Sequence, residues 1–207
     1  MKQPTQFLIA LFFLLLMPMS GCQQLLVGPV ATEMGELRAG KYRLDPDHTT
    51  VLFKVSHLGI STYVGRFNQM TASLNFDPGN MAVSTLEGRV ETASVDVNNS
   101  NLEKTLQGNE WFACEQFPQA QFVSALVTPL SENQFRFAGN LTLRGETKPI
   151  SLIGTFHGGA SNRLTGYYTL GFSAVGTIKR SEFGMDKYSG LVGDEVTLEI
   201  YAEFQKQ

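Results

Sequence analysis

Disulfides are the first thing this chain lacks. Its 207 residues hold two cysteines, Cys22 and Cys114, and Cys22 sits at the end of a leader, so the remaining thiol has no internal partner and the fold must hold by burial alone. Cys114 lies beside aromatic residues with no neighbouring base, which marks an inert, buried thiol. Surplus charge is also missing. Sixteen Lys and Arg against nineteen Asp and Glu leave a net of −3, which gives neither a nucleic-acid surface nor attraction to anionic lipid. Histidine is limited to His48, His57 and His157. On one regular strand His48 and His57 would face opposite sides roughly 30 Å apart at about 3.3 Å per residue, and no Cys or carboxylate cluster with ligand spacing accompanies any of the three, so no metal is expected. Nor is there a Gly-x-Ser-x-Gly elbow, a Walker loop or a dinucleotide fingerprint. Asp194 and Glu195 are adjacent and point apart on a strand. No catalytic residue and no cofactor is expected.

Long apolar runs are limited to the leader. Lys2, the run Phe7 to Met17 and the small pair Ser20-Gly21 before Cys22 have the arrangement of a bacterial lipoprotein signal over residues 1–21. The run is too short for a comfortable membrane span. An uncleaved anchor, or a signal cut elsewhere, is the alternative. Acylation at Cys22 would place the chain in the periplasm on a membrane, and Gln23 in place of Asp points to the outer rather than the inner one. Residues 22–41 contain Gly28 and Pro29, show no clear period and suggest a tether; 42–207 is then one domain with a sizeable core.

What the domain has is period two. Val51-Phe53-Val55, Met70-Ala72-Leu74-Phe76, Leu86-Gly88-Val90, Ala120-Phe122-Ser124-Leu126, Phe135-Phe137-Gly139-Leu141-Leu143 and Ile150-Leu152-Gly154-Phe156 each mark one face of a strand. Val196-Leu198-Ile200-Ala202-Phe204 mark the last. Between these lies the longest face of all, Leu164, Gly166, Tyr168, Leu170, Phe172, Ala174, Gly176 and Ile178. Eight antiparallel strands joined by short turns predict an all-β, closed or nearly closed barrel, with a two-sheet sandwich as the alternative. One segment departs. Ser100-Asn101-Leu102-Glu103 reads as a capping box and Leu102 and Leu106 are a turn apart, predicting a helix over about 100–112 across a barrel mouth. Lys179 to Phe183, stopped by Gly184, predicts a second helical turn. Fifteen phenylalanines and six tyrosines, interspersed with glycine, suit either a hollow barrel or a filled one.

A resemblance decides between them. Tyr42-Arg43-Leu44-Asp45-Pro46-Asp47-His48-Thr49, Val51 through Gly59, Gly65-Arg66-Phe67, Ala93 through Asp96, Phe117 through Phe122, Gly139 through Ile150, Arg180 through Met185 and Val192 through Val196 together resemble the YceI-like, polyisoprenoid-binding family, in order and at matching spacing. That resemblance implies an eight-stranded antiparallel lipocalin-like barrel whose apolar cavity binds, and carries or stores, an isoprenoid quinone or polyprenyl compound, without established chemistry. Family members often carry Arg-Asp-x-His-Leu-Arg in the helix, where this chain has Leu102-Glu103-Lys104-Thr105-Leu106-Gln107, so a basic head-group contact is not carried over there. The expected liners are Phe53, Val55, Leu74, Leu106, Trp111, Phe112, Phe122, Phe137, Leu141, Leu152, Leu170, Phe172, Leu198 and Ile200. His57 and Arg180 are candidate polar contacts at a mouth. A homodimer is compatible with the sequence. The competing functions are a filled barrel acting as an envelope interaction module and, below it, an enzyme on a bound lipid using a histidine base.

Overall fold

A computed structural model describes residues 26–207. The leader and Cys22 lie outside the described residues. Ten strands follow in chain order: β1 (Gly40–His57), β2 (Ser61–Phe67), β3 (Met70–Phe76), β4 (Thr85–Glu91), β5 (Val95–Asp96), β6 (Gln119–Pro129), β7 (Gln134–Leu143), β8 (Glu146–Ser161), β9 (Tyr168–Lys179) and β10 (Val192–Lys206). Helix α1 spans Ser100–Gln107.

The ten strands make eight staves. β2 pairs the second half of β1 and β3 pairs its first residues, so β2 and β3 form one long antiparallel stave broken at Asn68-Gln69. β4 pairs β3 and β5 pairs β2 in the same way, broken by a 3-10 turn at Thr92–Ser94. The meander then runs through β6, β7, β8 and β9 to β10, which pairs back onto β1. That last pairing closes an eight-stranded antiparallel barrel and rules out the sandwich. Closure leaves no open sheet edge to template aggregation.

Three sequence expectations change. The strand on the longest apolar face begins at Tyr168, not Leu164: Leu164 is 72% exposed in the turn before it, and Gly166 has φ +78° there, a conformation that favours glycine. The helix stops at Gln107 because Gly108 ends it, so Trp111 and Phe112 belong to the turn that follows. Its cap also shifts by one residue. Asn99 accepts from the N–H groups of Asn101 and Leu102, while Glu103 reaches back to accept from the Val97 and Asn99 N–H groups. The second helical turn is a 3-10 turn at Arg180–Phe183, closed by Gly184 in the left-handed region.

The turn between β1 and β2, the segment carrying α1, the Arg144-Gly145 turn and residues 180–191 gather at one end, here called the upper end. The start of β1 and the turns after β3, β6 and β8 form the lower end. Tyr42, Phe76, Phe135, Phe156 and Leu170 are buried in that lower half. The Tyr42 and Phe76 rings meet edge to face with centroids 6.1 Å apart, an arrangement that aromatic quadrupoles favour, and the Phe156 ring lies tilted against Phe172 at 5.3 Å. Within the expected tether, residues from Leu26 onward lie against this end. Val27 and Ala31 bridge to Asn162 and Gly159 of the β8 end, covering the edge that β8 presents beyond its last β7 pair, Gln134–Thr155. Leu37 is buried in the core there.

Candidate functional site: an apolar cavity beneath a helical lid

Above the aromatic floor the barrel is hollow. A cavity of about 480 Å³ runs upward from Phe172 and Phe204 to α1, and its wall is almost wholly apolar. Filled protein interiors hold few voids larger than a water molecule, so a space of this size is not a packing defect. It falls in the range of pockets that enclose small organic ligands.

Alternation along each stave places the wall. Of the fourteen expected liners, Phe53 and Val55 of β1, Leu74 of β3, Phe122 of β6, Phe137 and Leu141 of β7, Leu152 of β8, Phe172 of β9 and Leu198 and Ile200 of β10 all face the cavity, with Leu106, Trp111 and Phe112 at the lid. Leu170 is the exception. It is 0% exposed and belongs to the floor, packed where a side chain on Gly159 would otherwise stand. Strand alternation gives it the correct face but cannot give its height. Missed by the sequence reading were Tyr63 and Phe67 of β2, Met185 and Tyr188 of the upper loop, and Leu86 and Val90 as liners.

The glycines on the inner face serve mostly to admit neighbours. A Cβ at Gly176 would sit 2.6 Å from Leu152 Cδ2, and one at Gly154 would sit 2.8 Å from the Phe137 ring. Only Gly88, among the inner-face glycines of the wall, leaves open space, its nearest neighbour being Ala72 Cβ at 3.8 Å.

Polar groups concentrate at the upper end. His57, Trp111, Arg180 and Tyr188 all border the cavity there. Arg180 is 4% exposed. Its guanidinium donates to three backbone carbonyls, from Nε to Gly193 at 2.9 Å, from Nη2 to Val192 at 3.0 Å and from Nη1 to Met185. Its central carbon lies 5.7 Å from the Trp111 ring centroid, within cation–π range. The nearby Asp194 carboxylate instead accepts from Ser181 N–H and Oγ, each at 2.9 Å, and these bonds, backbone first, hold it below the usual carboxylate range. The Trp111 Nε1–H is buried and finds no acceptor among the described residues. Arg144 pins the lid from outside, donating to the Asn109 carbonyl at 2.5 Å and to the Gly184 carbonyl.

Two other histidine sites lie away from the cavity floor and lid. His157 Nε2 meets Ser173 Oγ at 2.8 Å among exposed groups. His48 stands in residues 46–49, which loop out of the β1–β10 register. It pairs with Asp45 at 2.9 Å, and Asp45 also accepts from the Asp47 N–H at 3.1 Å and from Gln205 at 2.5 Å. Burial raises the Asp45 carboxyl, and the bonds from His48, Asp47 and Gln205 outweigh it, leaving the group below its usual range. The same hydrogen bond, with the carboxylate charge, raises His48. With Glu203, these two form a group whose potential metal-ligand atoms lie within 4.8 Å of one another. Sequence spacing could not show it, because Glu203 comes from the last strand.

Residues 42–204 match the family model described as a YceI-like domain. A UPF0312 protein of Yersinia enterocolitica is 35% identical over 181 residues, covering 86% of this chain and 93% of that protein. Among solved structures, BcnA of Burkholderia cenocepacia superposes with a TM-score of 0.71 at 25% identity, over 77% of this chain and 98% of that one. A polyisoprenoid binding domain from Saccharophagus degradans superposes with a TM-score of 0.59 at 12% identity, over 82% and 100%, a likeness of fold.

Proposed function

The chain belongs to the YceI-like domain family, and on that premise we propose that it binds a long polyisoprenoid amphiphile, an isoprenoid quinone or a polyprenyl compound, inside the barrel. The observation that carries this reading is the apolar cavity between the aromatic floor and the lid. A polyisoprenoid binding domain shares its fold. A filled barrel working as an interaction module needs an interior plugged by its own side chains, and the cavity removes that premise.

Transfer of a tail from water gains roughly 0.8 kcal/mol per methylene, but a tail in a bilayer is already out of water. Moving it into an apolar cavity gains little by hydrophobicity, so net affinity rests on fit and stays modest. A modest affinity suits a carrier or store that must release its load. Export, acylation at Cys22 and residence at the outer membrane complete the proposal and follow from the leader pattern. Organic extraction of protein purified from native membrane, followed by mass spectrometry, tests the central claim. A long apolar compound at near-stoichiometric yield is the expected result; an empty extract from protein that also takes up no isoprenoid from vesicles would overturn it.

A further inference from the structure

Resting on that reading, we infer that the upper end of the cavity is a head-group site selecting an amphiphile whose head presents a hydrogen-bond acceptor oxygen, carbonyl or phosphoryl, and disfavouring cationic heads. The starting point is an orphan. Trp111 borders the cavity, and its Nε1–H is buried without an acceptor among the described residues. Buried polar groups are almost always paired, so this donor asks for a partner that the described residues do not supply. A tryptophan N–H can only donate, which fixes the partner as an acceptor.

Arg180 gives the same sign. It lines the same end and is buried, and it is held by three carbonyl oxygens rather than by a carboxylate. Those three bonds use one hydrogen on each nitrogen and leave the second hydrogens of Nη1 and Nη2. Asp194 feels the charge but spends its own oxygens on Ser181. A donor-only ring beside a donor-only cation in a low-dielectric wall favours oxygen acceptors and repels an ammonium. Tyr188, whose ring lies 6.3 Å from Trp111, and His57 can donate or accept and do not alter that bias.

Trp111 is the sole tryptophan of the chain, so its emission reports on this end alone. The test uses the whole chain stripped of lipid and four probes with like tails: geranylgeranylacetone, geranylgeranyl phosphate, geranylgeranylamine and the headless hydrocarbon squalene. Calorimetry should show the ketone and the phosphate binding about tenfold or more tighter than the amine, the factor expected of one hydrogen bond to a buried or charged donor. A ketone favoured over the phosphate identifies a neutral carbonyl head, and the reverse identifies an anionic one. Trp111→Phe should remove most of the ketone's advantage over squalene. In the unaltered protein the ketone and the phosphate, and not squalene, should shift Trp111 emission to longer wavelength, a readout that stands if the variant fails to fold. Equal affinities for all three heads, or an emission that squalene shifts as much as the ketone does, would overturn the head-group site while leaving the cavity reading intact. Failure of all four probes to bind would overturn both.

Discussion

Gly88 and Gly176 both stand on the inner face of the barrel, yet a side chain added to each meets a different neighbour. At Gly88 there is only Ala72 Cβ at 3.8 Å, and beyond it the cavity. Gly88→Leu should therefore fill the ligand space, with isoprenoid uptake from vesicles falling about tenfold and the melting temperature unchanged or slightly raised, since removing a glycine from a compatible backbone contributes about 0.4–1 kcal/mol. Gly176→Leu collides with Leu152, and overpacking of that kind costs about 1–3 kcal/mol, a fall in melting temperature of roughly 2–4 °C per kcal/mol for a domain of this size. Thermal unfolding beside an uptake assay separates the two, and a Gly176 variant that blocks uptake at full stability would contradict the assignment. Asp45 and His48 make a second prediction at this scale. The raised His48 value stabilises the fold below the usual histidine value of 6.5, a contribution lost as pH rises through the folded value; the lowered Asp45 value stabilises above the usual 3.8, lost as pH falls through the folded value. Both contributions are therefore complete between those two values. A denaturant midpoint highest in that window is expected, and Asp45→Asn should flatten the profile and return the His48 proton resonances to an ordinary histidine titration.

At the scale of elements, α1 is a short lid held by its ends rather than by propensity. An eight-residue helix is marginal alone, and Leu106 is its one buried residue. Loss of the Asn99 side chain in Asn99→Ala should cost about 1 kcal/mol, and Arg144→Ala should free the Asn109 and Gly184 carbonyls. Hydrogen exchange should rise over 100–107 in both variants while the staves stay protected, and ligand release should quicken. The barrel's staves were largely legible beforehand because one buried face leaves an unbroken two-residue rhythm. β2 was not: Val64 points outward and Gly65 inward, which interrupts the apolar alternation between Tyr63 and Phe67, the two side chains that face the cavity. Leu164 fits the strand pattern because the rhythm runs by chance from Tyr168 back into the preceding turn. Trp111-Phe112 follows Leu102 and Leu106 at an apt interval, which lengthens the expected helix, while Gly108 ends it between them. The wall residues were named from the same alternation, which states a face and not a height, so Leu170 fell among them. The Trp111 and Arg180 pairing was beyond sequence, since it depends on two segments meeting across the upper end.

For the whole molecule, the decisive arrangement is a closed floor at one end and a lid at the other. The described chain starts at the floor: Val27 and Ala31 are bound to the far end of β8, whose other end joins the Arg144-Gly145 turn beneath the lid. With an acyl chain on Cys22, the four residues to Leu26 reach at most about 14 Å, whereas sixteen residues of β8 at about 3.3 Å each, tilted as barrel strands are, separate floor from lid by roughly 35–40 Å. The protein would then stand like a cup on a table, its rim raised well above the lipid that holds it. On that arrangement, trade across the aqueous gap with a facing membrane or a soluble recipient would be the natural route, and dipping back into its own leaflet would require tipping over. A flexible insert of about 40 Gly/Ser residues before Leu26, spanning on the order of 35 Å, should speed exchange with the vesicle to which the protein is bound and leave exchange with separate vesicles unchanged, as labelled isoprenoid transfer would show.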